Sequence, residues 1–196
     1  MISHEHKYIF IEIPKTGTTT ICSVLKQHEA EQPYKHLDLK QYKERYTKEY
    51  NSYFKFSFVR NPWDRVVSLY SRKGDGIQKS MFRRGQQIGH GMSFEQFVDW
   101  IELSTDTCRK PTPKKNMVDF YMVDGSIDID FVGRLENIQE DFNIVCNKIG
   151  IPRQQLPHIN KSKHKHYTRY YDDKTKQIIA EKFAKDIEYF GYEFGE

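Results

Sequence analysis

Cysteine is scarce in this chain and poorly placed for cross-linking. Cys22, Cys108 and Cys146 form an odd, widely spaced set with no CxxC pair. That argues against a disulfide framework and against a cysteine-based zinc site, and it points to free thiols in a reducing compartment. Long apolar runs are missing too. Nothing approaches the ~20 apolar residues of a spanning helix, and MISHEHKYIFIEIPKTG at the N-terminus has no basic region followed by a long apolar stretch. The expectation is a cytoplasmic chain that does not enter a membrane. Surplus charge is small, +4 at pH 7 with histidine neutral, and basic residues are scattered among acidic ones. The charge suits an anionic nucleotide, an acidic sugar polymer or nucleic acid almost equally well, and what counts against nucleic acid is the lack of a basic stripe or recognition motif.

What is present suffices for a core. Of 196 residues 37% are hydrophobic, with 13 Tyr and 13 Phe, so one compact domain over residues 1–196 is expected. Residues 7–13 form a short apolar run that ends at Pro14 in a Gly/Thr turn, and residues 18–27 read as a helix. Leu37, Leu39 and Tyr42 anchor one or two short helices in a polar stretch. A second apolar strand spans residues 54–59. Asn61 follows as an N-cap, with Pro62 at the first helical position and Asp64 in the first turn. Residues 74–91 carry five glycines among basic and polar residues and read as an excursion before a helix over 93–103. Residues 117–122 and 129–133 read as extended, separated by the turn Asp124-Gly125. Residues 136–149 have a helical period that stops at Gly150, and a last helix covers 172–190 with Ile178, Ile179, Phe183 and Ile187 inward. Strands alternating with helices give an α/β class with a mainly parallel sheet.

Two strand-to-helix junctions carry the chemistry. In IPKTGTTT a buried strand meets a helix N-terminus, where unpaired amide groups and the helix dipole attract an anion. Gly17 permits close backbone approach, Thr18, Thr19 and Thr20 add hydroxyl donors, and Lys15 supplies a mobile positive charge. A nucleoside-triphosphate loop would place its lysine after the glycine, and here Lys15 precedes Gly17. The bland alternative is an ordinary turn with a capping threonine and a solvated lysine. In FSFVRNPWDRVVSLY, Arg60 ends the strand and Ser68 lies in the next helix, placed to hold a phosphate between them. Here the alternative is an Arg60–Asp64 ion pair beside a small packed serine. His4 and His6, or His164 and His166, lack partners at ligand spacing, and no metal is expected.

These two segments, in this order, resemble the PAPS-dependent sulfotransferases (PAPS being 3′-phosphoadenosine-5′-phosphosulfate). The resemblance is to the carbohydrate sulfotransferase family that includes heparan-sulfate 2-O-type enzymes and bacterial relatives. It continues through DFVGRLENIQEDF, LPHINKSKHKHY and DIEYFGYEF, and it weakens between residues 74 and 115. It implies a P-loop-like three-layer fold. It also implies that Pro14, Lys15, Thr16, Gly17, Thr18, Thr19 and Thr20 bind the 5′-phosphosulfate, and that Arg60 and Ser68 bind the 3′-phosphate. PAPS would be the co-substrate and PAP (3′-phosphoadenosine-5′-phosphate) the product. A late loop that closes over the nucleotide in the family makes Lys161 and Ser162 cofactor candidates. Sulfuryl transfer to an alcohol needs a general base, and His36 in YKHLDL is the first choice, with Glu12 and Asp38 as alternates. Lys15 would stabilise the departing phosphate oxygen. The acceptor implied is a carbohydrate or other hydroxyl compound, and basic residues such as Arg83, Arg84, Arg109, Lys110, Lys114 and Lys115 fit an acidic one. A P-loop nucleotide kinase and a non-catalytic nucleotide- or glycan-binding module stay open as alternatives. The oligomeric state is not readable.

Overall fold

The computed structural model describes residues 1–32, 34–71, 93–103, 115–157 and 165–196. The chain divides into two compact units, Met1–Arg60 with Cys108–Lys161, and Asn61–Thr107 with Ser162–Glu196.

Among the described residues the first unit is built on a four-stranded sheet. Its strands are β1 (Ile2–Ser3), β2 (Tyr8–Ile11), β3 (Phe54–Val59) and β6 (Phe131–Arg134), in the order β1-β2-β3-β6. β1 runs antiparallel to β2, and β2, β3 and β6 run parallel. Ile11 pairs in register with Ser57, and Val59 with Arg134. The residues that follow β2 and β3 therefore leave the sheet at one carboxyl edge, where α/β sheets bind ligands.

Alternation along the strands sorts the two faces. Tyr8 and Phe10 of β2, with Phe56 and Phe58 of β3, pack under α1 (Thr18–Leu25) and α6 (Ile138–Ile149) through Ile21, Val24, Leu25, Phe142 and Val145. The Phe10 and Phe56 rings stack with centroids 5.0 Å apart. The other set, Ile9, Ile11, Lys55 and Ser57, is also buried. On that side α2 (Leu39–Arg45) leads into α3 (Thr47–Ser52), and the Lys55 ammonium donates to the Tyr50 carbonyl at 3.4 Å. Helices thus cover both faces of a mainly parallel sheet, the three-layer α/β arrangement expected. α2 starts at a capping box, with the Gln41 amide donating to Asp38 at 3.0 Å and the Gln41 side chain accepting from the Asp38 amide.

Residues 117–122 are not the extended segment their apolar character suggests. A 3-10 turn over Val118–Phe120 precedes a small hairpin of β4 (Met122–Val123) and β5 (Ser126–Ile127). Met117, Val118, Phe120 and Tyr121 are all buried. Burial of the adjacent pairs Met117–Val118 and Phe120–Tyr121 departs from the alternation of a half-exposed strand.

In the second unit Asn61 caps α4 (Pro62–Tyr70), its side chain accepting from the amides of Trp63 and Asp64 at 3.1 and 3.4 Å. α5 (Phe94–Leu103) follows. The C-terminal helix expected over 172–190 is two helices, α7 (Asp173–Lys182) and α8 (Ala184–Phe190), because Phe183 leaves helical geometry with φ −113° and ψ 27°. Phe183 lies in a core with Trp63, Val67, Phe97 and Ile179. Among the described residues no helix is long and apolar enough to cross a membrane.

Candidate active site

The 14–20 loop leaves β2 at the carboxyl edge and enters α1. Two positions in it have left-handed backbone, Lys15 at φ 72° and Gly17 at φ 81°. For a residue with a side chain that region costs about 1–2 kcal/mol, so the lysine is held there by its surroundings. Gly17 is needed on two counts. Its φ is one that other residues avoid, and a Cβ there would lie 2.8 Å from both Leu135 Cδ1 and Ile138 Cδ1.

Gly17 stands at the N-cap position of α1 without a side-chain cap, and the first turn holds no acidic residue. The Thr20 and Ile21 amides donate to the Gly17 carbonyl at 3.0 and 3.2 Å. Ahead of them lies a helix start whose dipole and leading amide groups favour an anion. Thr16 is fully buried, and its hydroxyl donates to the Ile13 carbonyl at 3.0 Å, which shapes the turn from inside. Thr19 is exposed, while Pro14, Lys15, Thr18 and Thr20 are half-buried.

Arg60 follows β3 directly and is largely buried. Its Nη1 donates to the Lys15 carbonyl at 3.3 Å, which ties the end of the neighbouring strand to the loop. Ser68 lies inside α4 and is also buried. Arg60 belongs to the first compact unit and Ser68 to the second.

His36 has left-handed backbone, φ 61°, and its Nδ1 lies 2.9 Å from the Glu12 carbonyl oxygen. A carbonyl only accepts, so in the neutral ring Nδ1 carries the proton and Nε2 keeps the lone pair. The ring is thereby fixed to the strand end that leads into the 14–20 loop. Arg60 and His36 thus each bond a main-chain carbonyl of one segment, residues 12–15.

Both alternative bases are engaged. Glu12 is buried, and its Oε2 accepts from Gln32 Nε2 at 2.5 Å and from the Cys22 thiol at 3.5 Å, while Oε1 faces the Met1 amino group at 3.3 Å. Burial, reinforced by the Glu12 carboxylate, pushes the Cys22 thiol up to about 12. Asp38 caps α2 and pairs with Lys115 at 3.2 Å. Lys161 and Ser162 lie outside the described residues, as do Arg83, Arg84, Arg109, Lys110 and Lys114 and most of the 74–115 stretch.

Sequence reasoning missed the cradle that Leu135 and Ile138 form around Gly17, and the part played by Glu12 and Gln32. A signal for Glu12 existed, because a carboxylate at the end of an apolar strand needs a buried partner. Gln32, in a polar stretch, gave none.

A sequence model of the sulfotransferase family matches residues 1–193. Carbohydrate sulfotransferase 9 of Homo sapiens is 26% identical over 221 aligned positions, covering 95% of this chain and 47% of that protein. Carbohydrate sulfotransferase 14 of Danio rerio is 23% identical, covering 71% and 44%. An uncharacterized protein of Archaeoglobus fulgidus is 28% identical, covering 61% of this chain and 87% of its own length. The chain spans about half the length of the two carbohydrate sulfotransferases. The resemblance carried by the two junctions agrees with these matches. Since the family match takes in both junctions and runs to within a few residues of the last, the chain belongs to the sulfotransferase family.

Proposed function

We propose that this protein transfers a sulfuryl group from PAPS to an acceptor hydroxyl, by in-line displacement and without a metal. In this reading the 14–20 loop holds the 5′-phosphosulfate, and Arg60 and Ser68 bind the 3′-phosphate, assignments that rest on their places in the two motifs. His36 Nε2 takes the acceptor proton as the acceptor oxygen bonds to sulfur. The sulfur–oxygen bond to the phosphate breaks, its electron pair stays with PAP, and the Lys15 ammonium stabilises the oxygen that gains charge. A carbohydrate acceptor is proposed because the relatives named above are carbohydrate sulfotransferases.

The observation that supports the reading is that three features share one strand end. An uncapped helix start, the Lys15–Arg60 tie and a histidine held as its Nδ1–H tautomer all depend on residues 12–17. The test is titration of PAP, ADP and ATP with and without magnesium. A preference for PAP over ADP that persists in EDTA is expected. Equal affinity for PAP and ADP would sink the 3′-phosphate assignment, and magnesium-dependent ATP binding would favour a kinase. Transfer from PAPS to a panel of glycans and small alcohols, with His36→Ala alongside, tests the base. Full turnover in that variant would remove His36 from the role.

A further inference from the structure

We propose that Gln32 is a positioning residue for His36, acting through Glu12. The inference rests on His36 being the base. Glu12 grips the segment carrying His36 at both ends. Its carboxylate accepts from the Gln32 side-chain amide at 2.5 Å, and its main-chain carbonyl meets His36 Nδ1 at 2.9 Å. One residue, just past β2, therefore contacts both Gln32 and His36, the last residue of the turn at 34–36.

The carboxylate is a firm anchor. It is 3% exposed and is held from other directions by the Cys22 thiol and the Met1 amino group, so it cannot swing with the turn. The main chain before the turn is paired as far as Glu31, which exchanges hydrogen bonds with Ile2 at 2.7 and 2.9 Å. Beyond the turn, Leu37 is buried and Asp38 caps α2. Gln32 ties the chain ahead of the turn to the Glu12 carboxylate, while within the turn the Tyr34 ring lies under Arg45 and His36 meets the Glu12 carbonyl.

This arrangement accounts for the left-handed backbone at His36, a conformation that persists when neighbouring contacts over-determine it. Without the Gln32 amide the turn can relax toward ordinary φ. Nδ1 would then leave the Glu12 carbonyl, and the neutral ring would no longer be held as one tautomer. The lone pair needed for proton abstraction would sit on either nitrogen, and neither would be aimed.

The experiment replaces Gln32 with leucine, similar in size and without a donor, and with lysine, which keeps a donor for Glu12. For Gln32→Leu we expect PAP affinity within about twofold of wild type and a kcat lower by about 10–100-fold, part of what a general base contributes. Long-range proton–nitrogen spectra of His36 should change from the Nδ1–H pattern to a mixture. Gln32→Lys should recover most of the turnover and the original pattern, which separates positioning from a loss of fold. Wild-type turnover and an unchanged His36 pattern in Gln32→Leu would overturn the proposal. His36→Ala, assayed in parallel, keeps the two failures apart. Full turnover there removes the base reading, whereas an inactive His36→Ala beside a normal Gln32→Leu removes the positioning role alone.

Discussion

The Arg60 guanidinium donates to the main-chain carbonyl of Lys15, so the residue that follows β3 also holds the loop that follows β2. With the proposed 3′-phosphate contact added, one side chain would have two roles, which predicts a divided phenotype. Arg60→Ala should weaken PAP binding by about 10–100-fold, the scale of a lost charge-assisted contact. Arg60→Lys keeps the charge but not the planar fork, and a lysine there cannot serve the phosphate and the carbonyl together. We expect it to lose less affinity than the alanine variant and still to lose turnover. Calorimetric titration of PAP with steady-state kinetics checks this, and wild-type values for both in Arg60→Lys would refute the double role.

Lys15 carries the complementary prediction. An ammonium that stabilises a departing phosphate oxygen matters more as charge develops than in the ground state. Lys15→Met should lower kcat by about 10²–10³-fold while PAP affinity stays within about tenfold. The same kcat at saturating PAPS, with a much weaker affinity, would move Lys15 from catalysis to binding.

The two junctions were legible in the sequence because their signals are local. An apolar run, a Gly/Thr turn and the Asn61-Pro62 start each declare themselves within a few residues. What ties the junctions into a site is not local. Arg60 reaches a carbonyl of Lys15, and His36 a carbonyl of Glu12, and main-chain acceptors leave no mark on residue identity. Residues 117–122 misled for a related reason. Their apolar character says that they are buried, and it does not distinguish a strand from the 3-10 turn that Val118–Phe120 form. The interruption at Phe183 has neither glycine nor proline to announce it, so a helical pattern on both sides reads as one helix.

Gly17 joins stability to function. In Gly17→Ala the left-handed φ costs about 1–2 kcal/mol, and the new Cβ presses on Leu135 and Ile138 from 2.8 Å. Those contacts are ends of flexible side chains, so the fold should survive with a thermal midpoint lower by about 2–8 °C. Binding should suffer more than stability implies, since relief of the crowding moves the loop. We expect PAP affinity to fall at least tenfold at temperatures where the variant is fully folded. An unchanged affinity would mean that the loop does not touch the nucleotide.

Cys22 tests the buried network beneath the site. Its thiol donates to Glu12, and burial raises it to about 12, so the thiolate that reacts with alkylating reagents is nearly absent at pH 8. The sign is plain. With the folded-state value above that of a free thiol, the neutral form persists through the range where an exposed cysteine ionises. Cys146 is buried as well and shifted in the same direction, chiefly by desolvation. In native protein at pH 8, iodoacetamide should leave both unmodified for hours, and in denaturant both should react within minutes, as read by peptide mass spectrometry. Rapid native labelling of Cys22 would show that Glu12 is open to solvent, and the anchor argued for the His36 turn would fail with it.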